Sequence, residues 1–570
     1  MTRIRRLEIE NFRGIRSLDW TPEPGLNCLL GPGDIGKSTV LDAIDLCLGA
    51  RRAIGFTDAD FFDLDVSRPI RIAATIGELP AELHDIDAFG QYVRGFDTDT
   101  RTLADEPGVG LETVLTLQLL VDDSLDPGWT LYSDRASSLG HSRGIPWGIR
   151  TKLGPIRIGA GGSSQFAWRQ GSVLSRLTSD VPDASAALAS AAREARKAFG
   201  DQTAPELQST LDAIAAQGVR LGLKTGDGLK AMLDADSISL GRGTIALHTS
   251  KGIPLQCLGA GSVRLLTAGM QQTLGGGSCM IIADEVEHGL EPYRIARLLD
   301  TLGAKATHPS AQVFLTTHSP VVIRELSGGA LSILRRSADE SHVCVPVGTA
   351  GTIQGTARTF PEALLARAVV ICEGATEVGM LRGLDQFEDT QERPTLTSAG
   401  VVYIDGNGHD RIVGRAQALQ ALGFATAILR DSDVASAPAN EDAYIAAGGR
   451  VFRWPDGQST EQALFAELTE EAAARLLAHA VEFVSEATVD AHIRTKSDGR
   501  LTLAACRVAM SDEVRAVLGL AAKVDKGWFK TVGQMEIAAR EVIGPALVAS
   551  ASQIRETVEA LRAWARDVAV

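Results

Sequence analysis

The sequence predicts an α/β protein built from two parts, and two observations lead to this prediction. The first is a glycine-rich loop, Gly31 to Ser38, that follows an apolar segment and precedes a helical pattern. The second is a pair of short apolar runs in the C-terminal half, ending at Cys372 and Leu429, each of which leads into carboxylates. Such runs between polar residues are typical of buried parallel strands. Since open α/β sheets bind their ligands at the carboxyl ends of strands, we expect the functional sites there.

The composition is that of a globular protein. The chain has 570 residues, 45% of them hydrophobic and 22% charged, and this length suits about three or four domains. No long apolar run or signal-peptide core occurs, so we expect a cytoplasmic protein with no membrane partner. The seven cysteines form no C-x-x-C pair, which predicts neither a zinc site nor disulfides. The net charge of −15 argues against non-specific coating of nucleic acid but is compatible with a local basic groove.

The glycine-rich loop predicts a nucleotide site. It fits the pattern G-x-x-x-x-G-K-[ST], in which glycines let backbone N–H groups surround the phosphates. Lys37 would reach the outer phosphates, and the Ser38 hydroxyl would ligate Mg²⁺. The helix predicted to follow places its positive end at the phosphates. ATP with Mg²⁺ is therefore a predicted cofactor, and the predicted binding residues are Gly31, Gly33, Gly36, Lys37, Ser38 and Thr39.

An apolar strand that ends in two acids follows far downstream. Residues 280–285 read Met-Ile-Ile-Ala-Asp-Glu. Asp284 would complete the Mg²⁺ shell, and Glu285 would polarise the attacking water. This segment supplies the catalytic half of a predicted ATPase.

Two further segments flank this strand. Residues 258–264 predict a glycine-rich turn that opens a helix, in which Gly259 and Gly261 form a backbone anion site. Residues 313–320 predict a strand that ends in His318. A strand-end histidine taken alone is more often structural, but with the other segments it is interpreted as a γ-phosphate sensor.

These segments resemble the ABC-type ATPase head of the recombination and chromosome-maintenance families, whose Ile-x-Asn-Phe-Arg-Gly-Ile start is matched by residues 9–15. The resemblance implies that the signature turn of one subunit covers nucleotide on another, and hence a homodimer or larger homo-oligomer. We assign residues 1–180 and 236–350 to the head. The helical pattern of residues 181–235 is interpreted as a dimerisation insert, and one more pair of core helices is the alternative. The turn reads Leu-Gly-Ala-Gly-Ser, not Leu-Ser-Gly-Gly-Gln, which leaves the hydrolysis rate open.

Acidic residues follow both strands of the second part. Like charges gathered at one sheet edge repel each other and need a cation, and hard oxygen ligands select Mg²⁺ or Mn²⁺. Taken alone, each motif has an alternative interpretation, in which its acid caps the helix that follows. The same alternative applies to Glu461, which follows the candidate N-cap Ser459. The candidate metal ligands of this part are Glu373, Glu377, Asp431, Asp433 and Glu461, and those of the nucleotide site are Ser38 and Asp284.

The order of these acids resembles the Toprim module. An ABC-type head followed directly by a Toprim module resembles the OLD (overcoming lysogenization defect) family of nucleases, which includes the nuclease of the Gabija defence system. The resemblance implies a Toprim domain at 360–480 and a C-terminal helical region at 481–570 that completes a DNA groove. It also implies a two-metal endodeoxyribonuclease or nickase, gated or regulated by the head, in anti-phage defence or DNA processing. Its catalytic acids would be Glu373, Asp431 and Asp433.

Three lysines near the C-terminus, Lys523, Lys526 and Lys530, resemble the lysine motif of this family. Lys526 or Lys530 would offset charge on the pentavalent phosphate. A solvated basic turn with Trp528 and Phe529 packed beneath it is the alternative.

Two other functions remain compatible with the pattern. One is an ATP-dependent DNA clamp or repair ATPase without cleavage, and the other is a topoisomerase-like or primase-like enzyme. A topoisomerase needs a tyrosine nucleophile on a DNA-binding domain, and none of the five tyrosines has a recognisable setting of this kind. The sequence leaves open the cleavage preference, the metal used, the oligomer size, a superfamily-one helicase partner, and whether ATP is hydrolysed or only gates cutting.

Overall fold

The chain forms two compact units in this computed structural model. The first comprises Met1–Leu26 and Ser38–Thr316, and the second comprises Asn27–Lys37 and Thr317–Val570. The division passes through the glycine-rich loop, between Lys37 and Ser38. The structure describes residues 2–49, 54–84, 89–159, 166, 172, 174, 185–220, 245–272, 280–433, 438–524, 527–549 and 551–569.

The strands of the described residues are short, and most are apolar on at least one face. They are β1 (Arg3–Phe12), β2 (Ile15–Trp20), β3 (Leu26–Leu30), β4 (Ile70–Gly77), β5 (Val93–Asp97), β6 (Thr102–Ala104), β7 (Glu112–Val121), β8 (Pro127–Tyr132), β9 (Ile156–Ile158), β10 (Met280–Ala283), β11 (Gln312–Thr316), β12 (Leu331–Arg336), β13 (His342–Pro346), β14 (Ala368–Cys372), β15 (Val401–Asp405), β16 (Ala425–Arg430) and β17 (Arg450–Arg453).

The helices concentrate in the C-terminal half. They are α1 (Lys37–Leu48), α2 (Asp134–Ser138), α3 (Trp147–Leu153), α4 (Ser185–Arg220), α5 (Ala260–Gln272), α6 (Pro292–Thr301), α7 (Pro320–Glu325), α8 (Gly351–Thr359), α9 (Ala375–Thr390), α10 (His409–Ala421), α11 (Pro438–Ala446), α12 (Thr460–Glu467), α13 (Glu470–Phe483), α14 (Glu486–Lys496), α15 (Leu503–Val508), α16 (Asp512–Ala522), α17 (Val532–Ala538), α18 (Gly544–Ala549) and α19 (Gln553–Ala569), with a π-helix at Ala539–Ile543. Short 3-10 helices lie at Asp58–Asp60, Phe62–Leu64, Ala81–Leu83, Leu255–Cys257, Gly328–Ala330 and Pro361–Leu364.

The first unit contains two sets of strands. Antiparallel strands lie in the order β6-β5-β7-β4-β1-β2, with β8 on β7, and β9, β10 and β11 are parallel neighbours. In β1, the side chains of Leu7 and Ile9 are fully buried, because alternate residues of a strand point to the same face. Ile4 is fully buried as well, and the register of β1 against β4 shifts between Ile4 and Arg6. Strand β10 of the parallel set leads directly into the two predicted acids, Asp284 and Glu285.

Helix α4 lies within the predicted insert at 181–235 and is 36 residues long. The rest of that insert, 181–184 and 221–235, lies outside the described residues. Its role in dimerisation and the domain boundaries given above stay predictions. Among the described helices, none combines the length and the apolar character that a membrane span requires.

The second unit contains a four-stranded parallel sheet in the order β15-β14-β16-β17. All five residues of β14 are buried, as expected for a central parallel strand covered on both faces. In the same unit, β12 pairs with β3 in parallel and with β13 in antiparallel fashion. The sheet therefore has its central strands, β14 and β16, side by side.

Helices α9 and α17 pack closely in this unit. A Cβ atom added at Gly379 would lie 2.5 Å from the Val532 carbonyl oxygen, and one added at Gly383 would lie 2.2 Å from that of Glu536. Only glycine permits this approach, because any larger side chain would overlap the neighbouring backbone. Lys530 lies one residue before the N-cap of α17. The close packing of this helix therefore also fixes the segment that carries Lys530.

Candidate functional site

Strand register brings the first two predicted acids together. In the pairing of β14 with β16, Cys372 lies opposite Leu429, and the Glu373 N–H donates to the Leu429 carbonyl at 2.9 Å. The Asp431 N–H donates to Glu373 Oε2 at 3.0 Å. Because both strands end at the same edge, the two carboxylates emerge side by side, as predicted.

Thr460 connects two acids of this edge, and its only signal in the sequence is its place after the predicted N-cap Ser459. Its hydroxyl oxygen lies 2.5 Å from Glu377 Oε1 and 3.0 Å from Asp431 Oδ1. Its N–H donates to Asp431 Oδ1 at 2.9 Å. One hydroxyl has one proton to donate, so it can satisfy only one of two ionised carboxylates.

The remaining two predicted acids have lysine partners. Lys530 Nζ donates to Glu461 Oε1 at 2.6 Å, and Ser459 Oγ donates to Glu461 Oε2 at 3.1 Å. Lys523 pairs with Asp433. The lysine segment is therefore not a free basic turn. Its Trp528 and Phe529 are fully buried, as the alternative interpretation supposed, yet two of its ammonium groups contact the acids.

Lys526 falls outside the described residues. The five predicted acids thus form one neighbourhood with two ammonium groups, and the candidate ligands that the structure brings together are Glu373, Glu377, Asp431, Asp433 and Glu461.

Burial and neighbouring negative charge raise the pKa values of three acids in this neighbourhood. Burial, together with the carboxylates of Glu373 and Glu461, raises the pKa of Asp431 to about 7. Burial and the Asp431 carboxylate also raise the pKa of Glu377 well above its ordinary value. Burial raises the pKa of Glu373 as well. Within the described residues, no lysine or arginine forms an ion pair with any of these three acids. The charged forms therefore lack neutralisation.

Hard oxygen donors that lack neutralisation fit a divalent cation such as Mg²⁺ or Mn²⁺. In the part of the chain that is described, however, no three acidic, histidine or cysteine side chains enclose a single point as metal ligands do. The Thr460 hydroxyl instead lies between Glu377 and Asp431. The donor set fits the ion, and its geometry here is that of a hydrogen-bonded network.

The predicted ATPase acids lie in the first unit, beside Ser38. The Ser38 hydroxyl donates to Asp284 Oδ1 at 3.1 Å, and the Thr316 hydroxyl donates to the same oxygen at 2.5 Å. Arg157 Nη2 lies 3.7 Å from Asp284 Oδ2. Ser38 and Asp284 therefore meet as the Mg²⁺ prediction requires. The sequence assigned no role to Thr316 or Arg157. Thr316 is the last residue of β11, so this strand ends two residues before His318 and not at His318 as predicted.

The second predicted acid of the head, Glu285, has an unusual backbone conformation. Glu285 has φ of +43°, a conformation that non-glycine residues adopt rarely. Arg264, which is buried, donates from Nη1 to the Glu285 carbonyl. The Glu285 N–H donates to the Thr316 hydroxyl at 2.8 Å. These contacts hold the turn that presents the carboxylate.

The other predicted nucleotide residues are placed as follows. In the second unit, the buried Lys37 ammonium donates to the carbonyls of Gly31 and Pro32 at 2.9 and 2.8 Å. His318 is exposed, and it precedes Ser319, the N-cap of α7. In the first unit, a Cβ atom at Gly261 would lie 2.2 Å from the Gly289 carbonyl. Open space surrounds Gly33 and Gly259, φ is +94° at Gly36, and Thr39 is half-buried in α1.

Comparison with known proteins yields short curated matches. The chain is 36% identical over 58 residues to a DNA replication and repair protein RecF from Chlorobium luteolum, which is 10% of this chain and 16% of that protein. It is 33% identical over 101 residues to an OLD nuclease from Thermus scotoductus, which is 17% of this chain and 19% of that protein. The chain thus spans less than a fifth of the length of either relative.

Solved structures of SMC head domains also match. An SMC head domain from Thermotoga maritima aligns with a TM-score of 0.28 and 13% identity over 61% of this chain and 99% of that chain. An Smc head bound to the C-winged helix domain of ScpA aligns with a TM-score of 0.32 and 12% identity over 60% and 97%.

Family models cover both parts of the chain. The model described as "AAA domain, putative AbiEii toxin, Type IV TA system" matches residues 26–324, which is more than half of the 570 residues. The model described as "Overcoming lysogenization defect protein-like, TOPRIM domain" matches residues 364–433, the segment that carries four of the five clustered acids. The chain therefore belongs to the AAA-domain family, and it carries an OLD-like TOPRIM domain after the AAA domain, an order that matches an OLD-family ATPase–Toprim fusion.

Proposed function

We propose that this protein is an ATP-binding, divalent-metal-dependent endodeoxyribonuclease or nickase. The observation that carries the proposal is the un-neutralised acid network of Glu373, Glu377 and Asp431 at one edge of a parallel sheet. The OLD-like TOPRIM match over the same residues supports it. DNA is the proposed substrate, because the curated relatives include a DNA replication and repair protein and an OLD nuclease.

The metal ions would be Mg²⁺ or Mn²⁺, held by Glu373, Glu377, Asp431, Asp433 and Glu461. When bound, two such ions activate a water and stabilise the leaving 3′ oxygen. The chain's own groups have separate tasks. Thr460 orients Glu377 and Asp431, and the Glu461 carboxylate holds the Lys530 ammonium at the rim of the network. Lys530 can there offset charge that develops on a phosphate.

The test of this proposal is plasmid cleavage by the purified full-length protein. We expect relaxed or linear products in Mn²⁺ or Mg²⁺, loss of cutting when the metal is removed with EDTA, and recovery when excess metal is restored. A Lys37→Ala variant, changed in the other predicted site, serves as a control for the metal requirement. It should still need a divalent ion for any residual cutting. Absence of cutting with every divalent metal tried would contradict the proposal and favour a DNA clamp.

A topoisomerase-like reaction is less well supported. The two tyrosines of the second unit are buried, and their hydroxyls donate to Asp385 Oδ2 and Thr426 Oγ1, both at 3.0 Å. A tyrosine nucleophile must reach the scissile phosphate, and neither Tyr403 nor Tyr444 is free to do so. A water nucleophile therefore suits this site better.

The AAA-type head supplies ATP binding, with Mg²⁺ held by Ser38 and Asp284 and with Glu285 as the proposed hydrolytic acid. We include in the proposal a homodimer or larger homo-oligomer formed through the head, with Gly259, Gly261 and His318 at the nucleotide. The proposal also includes a role in anti-phage defence or DNA processing, with a superfamily-one helicase as a partner. These points extend the family assignment and stand as proposals.

The head is also proposed to gate the nuclease, and Arg335 is the contact that supports this. Arg335 lies on β12, the strand that pairs with β3 ahead of the glycine-rich loop. Its Nε donates to the Leu422 carbonyl at 2.6 Å, and its guanidinium lies 4.2 Å from the centre of the Phe424 ring. Burial lowers the pKa of Arg335 to about 10. Leu422 and Phe424 immediately precede β16, the strand that leads to Asp431.

An Arg335→Ala variant is expected to lose the response of cleavage to ATP. The reason is that the guanidinium joins β12, which pairs with the strand ahead of the glycine-rich loop, to the residues just before β16, the strand that leads to Asp431. ATP hydrolysis and metal-dependent cutting without ATP should stay close to those of the unaltered protein. Cleavage would be measured with and without ATP. The neighbouring Arg336→Ala removes an exposed guanidinium that pairs with Glu340, and it should leave the response intact. An unchanged response in Arg335→Ala would refute this route of gating.

A further inference from the structure

Two arginines lie directly opposite each other at the ends of neighbouring strands. In the parallel pairing of β16 with β17, Arg430 is the register partner of Arg453. Like charges in such positions repel. Glu441 of α11 lies between them, with its Oε2 atom 3.1 Å from Arg430 Nη2 and its Oε1 atom paired with Arg453. Both Glu441 and Arg430 are almost fully buried, at 2% and 5% exposure.

Helix α11 is anchored so that Glu441 points between the arginines. One turn further on, Tyr444 is fully buried, and its hydroxyl donates to Thr426 Oγ1 of β16 at 3.0 Å. Its ring covers Gly449, where an added Cβ atom would lie 2.3 Å from the ring. Residues three apart on a helix share a face, so the position of Tyr444 fixes that of Glu441.

Arg430 is also the immediate neighbour of the proposed nuclease acids. Its Nη1 donates to the carbonyl of Asp431 at 3.0 Å. The acids of the network attract any mobile cation, and the Arg430 guanidinium belongs to the residue next to Asp431 in the chain. An arginine that paired with Asp431 or Glu373 would neutralise the negative charge that attracts a divalent ion.

Arg453 is half-exposed, whereas Glu441 and Arg430 form a buried ion pair. A buried ion pair is seldom a net source of stability, because the charges lose their hydration. Its presence here needs another explanation. We infer that Glu441 is a positioning residue, which holds the Arg430 guanidinium against α11 and so keeps the acid network of Glu373, Glu377 and Asp431 open for the divalent ion. This inference rests on the proposed metal-dependent nuclease function.

The experiment measures Mn²⁺ binding to the full-length protein by electron paramagnetic resonance, without nucleotide or DNA. Glu441→Gln keeps the shape of the side chain but removes the charge that holds Arg430. We expect it to weaken Mn²⁺ binding by about 10- to 100-fold, the usual effect of losing a residue that supports metal ligands. Asp442→Asn removes an exposed carboxylate from the same helix and should bind Mn²⁺ normally.

A second substitution separates this role from a merely structural one. In Glu441→Gln/Arg430→Met, the released guanidinium is gone, so Mn²⁺ binding should return nearly to that of the unaltered protein. Arg430→Met alone should bind Mn²⁺ at least as tightly as the unaltered protein. A structural role predicts instead that the double variant binds no better than Glu441→Gln. Far-UV circular dichroism would confirm that each variant is folded.

The outcomes distinguish this inference from the proposed function. Asp431→Asn defines the Mn²⁺ signal that does not come from the acid network. If the unaltered protein binds no more Mn²⁺ than Asp431→Asn, the proposed metal site itself fails. If the unaltered protein binds Mn²⁺ and Glu441→Gln binds it equally well, only the role of Glu441 fails. Weakened binding in Arg430→Met, or no recovery in the double variant, would also overturn that role.

Discussion

Asp431→Asn is expected to abolish DNA cleavage, with a loss of roughly 10³-fold or more, as when one member of a catalytic group is removed. Asp431 is the acid that joins the others, because its N–H donates to Glu373 and its Oδ1 atom accepts the Thr460 N–H and lies 3.0 Å from the Thr460 hydroxyl oxygen. Asparagine retains an oxygen for Thr460 but removes the negative charge that would attract a metal ion. The measurement is the plasmid cleavage rate over a series of Mn²⁺ concentrations.

The same variant should not be unstable, and this separates loss of chemistry from loss of fold. The raised pKa of Asp431, about 7, means that the folded state disfavours its charged form. Without metal, the charged Asp431 carboxylate therefore destabilises the folded protein. This destabilisation is absent below the pKa that Asp431 has in the unfolded chain, and it grows as the pH rises from that pKa through about 7. At pH 8, Asp431→Asn should melt at the same temperature as the unaltered protein or higher. A large fall in melting temperature would show that the aspartate is structural.

Asp405→Asn is the matched control for this prediction. Asp405 also ends a strand of the same sheet, β15, but its carboxylate accepts a hydrogen bond from the Asn407 N–H at 2.7 Å and belongs to no part of the acid network. Cleavage should be close to normal in this variant. Equal losses in Asp405→Asn and Asp431→Asn would contradict the assignment of the site.

Gly383→Ala is expected to destabilise the second unit by about 3 kcal/mol, at the upper end of the usual cost of overpacking. The added Cβ atom would lie 2.2 Å from the Glu536 carbonyl oxygen and 2.7 Å from Ala539 Cβ. Both contacts involve backbone or a short side chain, so neither can turn aside. Helix α17 must then shift, and with it the segment that carries Lys530. Thermal unfolding should show a clear fall in midpoint.

Gly533→Ala makes the same glycine-to-alanine change in a helix, but without the steric clash. Gly533 lies in α17, and an added Cβ atom there meets nothing within 4 Å. Alanine favours a helix over glycine by about 1 kcal/mol, so this variant should be as stable as the unaltered protein or more so. A similar loss of stability in both variants would contradict this prediction, because the loss could then not come from the contact between α9 and α17.

The motifs that could be read from the sequence are those in which neighbouring residues act together. The loop from Gly31 to Ser38 has its function encoded in spacing, because consecutive backbone groups surround the phosphates. The runs that end at Cys372 and Leu429 predict buried parallel strands, and parallel strands present their ends at a common edge. Thus the meeting of Glu373 with Asp431, and of Ser38 with Asp284, was predictable.

Contacts between distant segments were not predictable in the same way. Thr460 meets Glu377 across 83 residues of chain, and Lys530 meets Glu461 across 69. The sequence offered Lys526 and Lys530 equally, and the structure, which describes Lys530, places it at Glu461. Trp528 and Phe529 are buried in the helical core, and their burial brings Lys530 to the acids.

The sequence by itself determined the nucleotide loop, the strand-end acids and their order along the chain, because local spacing and hydrophobic pattern are written in consecutive residues. Only the tertiary structure decided that Thr460 joins two acids and that Glu441 faces Arg430. These contacts depend on strand register and on how closely helices approach, and both are set by the packing of the whole unit.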